Sequence, residues 1–401
     1  MTAEAERDEG DGRHSPPTLP AGAADDVRAR AVAILDAAWR ERPDGSGFCV
    51  PNPTTYPWQW LWDSCFHSVV WAHLGDERAV RELRSALQPQ DADGFVPHVR
   101  YGDAPNPHAD FWGRPTTSSI TQPPMYGHAL AELTRRGATP PGDLVHRASA
   151  GLRFLLHERR RSPAGLVELC HPWESGCDDS PRWDAVLGGR WTPDAWYEAK
   201  GHLLAAVERS GAGAPLANPA FPVGSVGFSS LVAWNARELA EVTGDDALRS
   251  RADDLAAAVD ARWEPDLGTW VDDGPTEHTS GRVRTLDALL ALLVAPRAEA
   301  FAQLTDPGAF GAACGPRGVH AAEATYEPTR YWRGSAWPQL TYLVWLAAKG
   351  RDPALAGSLV RSMVAGVLRS GFAEHWDPDT GAALGAVPQS WTTLSCVMVD
   401  E

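Results

Sequence analysis

Helical periodicity dominates the chain, with apolar residues recurring every three to four positions in many segments, and no stretch alternates convincingly in the two-residue rhythm of a strand. The stretch "DDVRARAVAILDAAWRE" (Asp25 to Glu41) puts Val27, Ala31, Ile34, Leu35 and Ala38 on one stripe. Comparable stripes run through "DSCFHSVVWAHLG", "DERAVRELRSAL", "PPMYGHALAELTRR", "GDLVHRASAGLRFLLHERR" and "AWYEAKGHLLAAVERS". Others follow in "FSSLVAWNARELAEVTG", "DDALRSRADDLAAAVDARW", "RVRTLDALLALLV", "GSAWPQLTYLVWLAAKG", "DPALAGSLVRSMVAGVLRSG" and "PQSWTTLSCVMVD". About a dozen helices are expected. Gly75, Gly244 and Gly350 each close one helix just before an acidic start to the next, the signature of a tight helical hairpin. Between hairpins lie long loops rich in Trp and Pro, at 43–61, 90–121, 159–195, 263–281 and 371–388. Tight turns alternating with long loops fit an all-α fold, an (α/α)6 toroid of six helical hairpins with the long loops gathered on the active-site face. A solenoid of stacked hairpins is the rival, and no fixed-period repeat supports it. Residues 25–401 are expected to form this one domain, behind an acidic, Pro- and Gly-rich tail over 1–24 that is expected to be disordered.

Composition narrows the partners. The formal net charge of -16, without a basic block, argues against nucleic acid and anionic membranes, because phosphate contacts need clustered Lys and Arg. No apolar h-region opens the chain and no run of eighteen apolar residues occurs, so a cytoplasmic protein without a membrane span is expected. Six scattered cysteines form no CxxC pair, which fits a reduced compartment. His67 and His73 share a helix face only roughly and lack a third ligand nearby, so neither a metal nor another cofactor is expected. The 18 tryptophans are more telling, because they cluster: Trp58, Trp60 and Trp62; Trp173, Trp183 and Trp191; Trp332 and Trp337; Trp376 and Trp391. Clusters at segment ends point to a lined cleft.

Four segments combine such aromatics with acids: "YPWQWLWDSCFH", "HPWESGCDDSPRWD", "YWRGSAWPQ" and "FAEHWDPDTGAALGAVPQSWT". A fifth, "SSITQPPMYGHA", carries Gln122 at the mouth of a helix. A sugar ring needs this mixture, since its C–H faces stack on indoles and its hydroxyls pair with forked polar groups. Two carboxylates from distant segments can converge, one held protonated to serve a leaving oxygen and the other activating water. Taken singly, each acid has a bland alternative. Asp63 would cap a helix, Arg182 would pair with Asp179 and Asp184 at the surface, and Glu374 would be a solvated loop acid.

"HPWESGCDDSPRWD" resembles the ESGxDxSxRW signature of glycoside hydrolase families 63 and 37. "WLWDSCFH", "ITQPP", "YWRGSAWP" and the "FAEHWDP" segment resemble the same group, in the same order, over roughly residues 50 to 398. The resemblance implies the (α/α)6 barrel, with Asp178 as general acid and Glu374 as general base of an inverting hydrolysis. It carries over ring-contacting roles to Tyr56, Trp60, Asp63, Gln122, Trp173, Gly176, Arg182, Tyr331, Trp332, Trp337 and Gln389. Glu174, Asp179 and Asp184 are left as supporting acids whose substitution should matter less. Inversion implies carboxyl groups roughly 6.5–9.5 Å apart, with room for a water between them. Two departures stand out: YWRGSAWP in place of YWRGPxWP, and Cys177 immediately before the acid. Where glycerate-releasing relatives carry Arg and Tyr for the aglycone carboxylate, residues 194–226 offer only Arg209, inside a helix pattern, and Tyr197. The loop 101–119 is a candidate lid, with His108 or Arg114 as candidate aglycone contacts.

The expected activity is therefore exo-acting hydrolysis of a small soluble α-glucoside or α-mannoside, with glucosylglycerate or mannosylglycerate first and trehalose kept open. The expected partner is this carbohydrate, and a homo-oligomer stays open. A sugar epimerase or isomerase, and a non-catalytic sugar-binding protein, are the alternatives on the same toroid.

Overall fold

The computed structural model describes residues 19–102, 107–185, 187, 192–274 and 282–401. Residues 1–18 of the expected tail lie outside these, as do Trp191 and parts of the loops at 101–119 and 263–281. Helices dominate the described residues: α1 (Ala23–Ala38), α2 (Leu61–His73), α3 (Arg78–Leu87), α4 (Ala109–Trp112), α5 (Tyr126–Arg135), α6 (Gly142–His157) and α7 (Pro193–Ala205). They continue with α8 (Val226–Thr243), α9 (Asp246–Asp260), α10 (Ala298–Gln303), α11 (Pro338–Lys349), α12 (Pro353–Ser370) and α13 (Leu394–Asp400).

Two kinds of helix follow from two kinds of sequence. Residues Leu61–Ala72 of α2 are all buried, as are most of α8 and α11, because apolar and small residues occupy most positions around their turns. In contrast, α9 buries only Leu248, Ala252, Leu255, Ala256 and Val259, a single stripe with charge on the other face. The buried helices contact one another in a circuit. α2 packs on α5, α5 on α8, α8 on the 3-10 segment Ala288–Leu293, that segment on α11, α11 on α13, and α13 on α2 again. The striped helices lie against this set: α3 on α2, α6 on α5 and α8, α9 on α8, α10 on Ala288–Leu293, α12 on α11, and α1 on α13. One cluster of buried apolar side chains runs through both, from Val27 to Met398.

Hairpin chemistry follows the expected caps. Gly244 ends α8 in the left-handed region, and the Asp245 carboxylate then accepts from the Leu248 amide at 3.0 Å to start α9. Asp352 does the same for Leu355 at 3.0 Å, with Pro353 in the first turn of α12.

Three expectations change. The "DALLALL" stretch winds as a 3-10 segment instead of an α-helix. The pattern expected to run through Arg209 stops at Ala205, and Arg209 lies in a short strand, Glu208–Arg209, paired with Pro215–Ala217. Strands also exist, as antiparallel pairs two or three residues long that brace the long loops. Gln59–Trp60 pairs with Val99–Arg100, Glu168–Leu169 with Val223–Gly224, and His375–Trp376 with Ala383–Leu384. Two-residue strands are too short to show an alternating pattern. All six cysteines are buried and unpaired, and no described helix is long and apolar enough to cross a membrane.

Candidate active site

The long loops meet over a cavity that holds about 400 Å³, counting its mouth. Its walls include Tyr56, Trp60, Asp63, Gln122, Gly176, Asp178, Tyr331, Trp332, Glu374 and Gln389, ten of the thirteen positions expected from sequence. Several come from the ends of ordered elements. Asp63 projects from the first turn of α2, without capping it. Trp60 ends a strand just before α2, and Gln122 precedes α5. Glu374 enters a two-stranded hairpin, and an isolated bridge between Ala336 and Trp376 ties that hairpin to the loop bearing Tyr331 and Trp332.

The loop His171–Asp184 explains why its acids differ. Glu174 is fully buried and held by Arg159 at 2.5 and 3.1 Å, while accepting from the Cys170 amide at 2.7 Å and the Thr121 amide at 3.2 Å. Asp179 pairs with Lys200, and Asp184 accepts two bonds from Arg333 at 2.9 and 2.6 Å. Asp178 alone of these acids has no cationic partner among the described residues, and it faces the cavity. Burial pushes its carboxyl up to about 7; the Lys200 charge pulls the other way, and Asp179 and Glu374 add to the rise. Gly176 shapes the turn before it. Its φ is 73°, and a Cβ there would lie 2.6 Å from the Trp62 ring, so both backbone and space demand glycine.

Glu374 is buried and held from two sides. The Tyr56 hydroxyl donates to Oε1 at 2.9 Å and the Ala386 amide donates to Oε2 at 2.9 Å. Burial raises this carboxyl, and those donors restrain the rise. The returning chain packs directly on it: a Cβ on Gly385, whose φ is 69°, would lie 2.3 Å from Oε2. Deeper in the cavity Asp63 is pushed up to about 7 by burial, with His67 below it opposing the shift. His67 itself bonds Glu82 at 2.8 Å and Ser390 at 2.6 Å, and His73 bonds Asp400 at 2.7 Å.

Several polar atoms of the wall are buried without a protein partner: Trp60 Nε1, Asp63 Oδ1, Trp332 Nε1 and Gln389 Oε1. Buried donors and acceptors left open around one cavity fit a ligand rich in hydroxyls. Trp332 has a left-handed backbone, φ 57°, rare for a bulky residue, and its ring stacks on Trp337 at 3.5 Å. Trp337 in turn stacks on His375 at 4.4 Å.

A second chamber, about 770 Å³ with its mouth, adjoins the first and shares Trp60, Gln122 and Asp178 with it. Trp173 stands here, together with Trp58, His98, Tyr101, His108, Phe111, Trp112 and Tyr197. Asp178 therefore lies at the junction of two compartments.

Two sequence expectations are not brought to the cavity. Arg182 is buried away from it between Asp272, at 2.6 Å, and Asp287, so it anchors the loop from behind, and it is not the surface partner of Asp179 and Asp184. Trp337 backs Trp332 and does not line the wall. Glu374 is not a solvated loop acid. Pro51, Trp62 and Trp391 line the inner cavity without having been singled out as ligand contacts, and most of the outer chamber was not foreseen. The Trp58, Trp60, Trp62 spacing was the available signal. The tryptophan clusters divide, with Trp183 and Trp376 belonging to the core. Arg114 is engaged by Asp91 at 3.1 and 2.6 Å, while His108 does line the outer chamber.

A helical scaffold carrying paired desolvated carboxyls in an aromatic, hydroxyl-ready cavity has the makings of a glycoside hydrolase, and the comparisons with known proteins bear this out. Residues 56–392 match the family described as the mannosylglycerate hydrolase MGH1-like glycoside hydrolase domain. The chain belongs to that family, within the group typified by glycoside hydrolase family 63. It is 29% identical to the mannosylglycerate hydrolase of Thermus thermophilus, over 90% of this chain and 98% of that protein. It is 28% identical to the glucosylglycerate hydrolase of Mycolicibacterium hassiacum, over 86% of this chain and 92% of that one. A crystal structure of a family 63 mannosylglycerate hydrolase from Thermus thermophilus, in complex with Tris and D-glycerate, superposes with a TM-score of 0.78 at 26% identity. That match covers 94% of this chain and all of the other.

Proposed function

We propose that this chain is an inverting, exo-acting α-glycosidase that removes one hexose, glucose or mannose, from a small α-glycoside. Residues 25–401 act as a single (α/α)6 toroid, a reading supported by the buried helical circuit that returns from α13 to α2. The observation that carries the proposal is the presence of Asp178 and Glu374 in one cavity, the first without a counter-ion among the described residues and the second pinned by Tyr56 and Ala386.

The chemistry follows from these environments. A carboxyl raised to about 7 is substantially protonated at neutral pH, so Asp178 can give its proton to the glycosidic oxygen as the anomeric C–O bond breaks. Glu374 accepts a proton from a water that attacks the anomeric carbon from the opposite side. The hexose fills the inner cavity, where its hydroxyls meet the open polar atoms of Trp60, Asp63, Trp332 and Gln389. The leaving group extends into the outer chamber past Asp178. Because the relatives are named for glycerate glycosides, glucosylglycerate and mannosylglycerate are the first substrates to try. No histidine is among the inner cavity's described lining residues, which disfavours an epimerase that moves protons through paired imidazoles.

The roles separate with glycosyl fluorides, whose leaving group needs no proton. Asp178→Asn should lose at least about 10²-fold in kcat on an O-glycoside yet keep most hydrolysis of the α-hexosyl fluoride. Glu374→Gln should lose both. An Asp178→Asn enzyme with near-normal turnover of the O-glycoside would remove Asp178 from the mechanism.

A further inference from the structure

The outer chamber is built in a way that bears on the leaving group. Three of its rings meet edge to face or tilted: Trp58 and Tyr101 at 5.1 Å, Trp58 and His108 at 5.7 Å, and Tyr101 and His108 at 5.7 Å. A second set adjoins these: Phe111 and Trp112 contact at 4.8 Å, Trp112 and Trp173 at 5.9 Å, and the Trp112 indole N–H donates to the Tyr101 hydroxyl at 2.6 Å. No Lys or Arg is among the described residues lining it.

Of the basic side chains on the described elements around it, Lys200, Arg209 and Arg114 are committed elsewhere, while His108 lies within the lining in contact with Trp58 and Tyr101. Lys200 lies over the Trp173 ring at 5.5 Å but is paired with Asp179. Arg209 donates to the Ser119 carbonyl at 2.7 Å and its hydroxyl at 3.1 Å. Arg114 is forked onto Asp91. His98, deep in the chamber, is held neutral by burial and bonds Ser118 at 2.5 Å. A carboxylate entering this chamber would lose its hydration and gain no cation from Lys200, Arg209, Arg114 or His98, while standing beside Asp178. An uncharged ring would instead find a lining of aromatic side chains.

We infer that the outer chamber takes an uncharged, ring-bearing aglycone, a second sugar or an aryl group, in preference to glycerate. This rests on the glycosidase reading above and specifies its leaving group. Hydrolysis then adds water across the anomeric C–O bond, with the proton from Asp178 going to the aglycone oxygen and the water oxygen to the hexose.

The test compares four substrates of one hexose, in both the gluco and manno series: the α-fluoride, the glycerate α-glycoside, an α-linked disaccharide and an aryl α-glycoside. The fluoride has no aglycone ring and reports the inner cavity alone. At least one ring-bearing glycoside should exceed the glycerate glycoside about 10-fold or more in kcat/KM. A lower KM for the disaccharide identifies a sugar, and a lower KM for the aryl glycoside identifies an aryl group. Trp58→Ala should lose at least about 10-fold more on the preferred ring substrate than on the fluoride, chiefly through KM. If that variant does not fold, Phe111→Ala, at a side chain 37% exposed, carries the same comparison. Phe111→Arg should narrow the gap in favour of the glycerate glycoside. Fluoride hydrolysis together with an equal or better rate on the glycerate glycoside overturns the inference and leaves the glycosidase standing. No hydrolysis of either fluoride removes both.

Discussion

Asp178 differs from its neighbours in charge environment more than in position. Glu174, Asp179 and Asp184 each face a cation, whereas Asp178 is desolvated beside two other acids, and its carboxyl rises to about 7. Two consequences follow. If the protonated form is the proton donor, kcat/KM should fall as pH rises through about 7, and a pH–rate profile flat to pH 9 would argue against that role. Stability carries the same signature. The folded-state value lies above the ordinary 3.8, so the folded protein holds the proton more tightly than the unfolded chain does. That contribution is complete below the unfolded value and is lost as pH rises through about 7. Asp178→Asn cannot ionise and should therefore raise the melting temperature more at pH 8 than at pH 5, as calorimetry at the two pH values would show. An equal shift at both would mean that Asp178 is not held protonated by its surroundings. Most of the residues that line the inner cavity were readable in sequence because their motifs carry them. Arg182 was not, since its partners Asp272 and Asp287 lie about ninety and a hundred positions away, beyond any local pattern.

At the scale of elements, the loop bearing Asp178 is held in shape by ion pairs running in different directions, to Arg159, to Lys200 and to Arg333. Glu174 is the most demanding of these acids. It is fully buried, and its bond from the Thr121 amide ties the loop to the segment that presents Gln122. Glu174→Gln leaves Arg159 buried without its counter-charge, and should cost about 3–5 kcal/mol in urea unfolding. Asp184→Asn, at a partly exposed pair, should cost much less. Sequence reasoning ranked the two together as supporting acids, because burial depth does not show in a loop's composition. The amphipathic stripes and the hairpin caps were readable for the opposite reason, since both are written in local spacing. Where helical pattern misled, a tertiary role prevailed. The segment read as reaching Arg209 contains α7, which sets Tyr197 on the outer chamber and Lys200 against Asp179.

Across the whole molecule, the buried circuit of helices and the loops at one set of helix ends divide the work of the chain. The circuit supplies the frame and, at the start of α2, Asp63, while the loops supply most of the other proposed contacts with substrate. The alternation of tight turns with long aromatic loops made that division visible in sequence. The arrangement of the loops into two compartments was not visible, because it depends on which loops meet across the frame. The junction of those compartments at Asp178, with Glu374 lining the inner one, is the basis of the proposal of an inverting mechanism. Proton NMR of the first minutes of hydrolysis tests it most directly, with whichever α-glucoside or α-mannoside the enzyme turns over. The β-anomer of the free hexose should appear first and then mutarotate, whereas first appearance of the α-anomer would contradict the assignment of Asp178 and Glu374 as acid and base flanking a water.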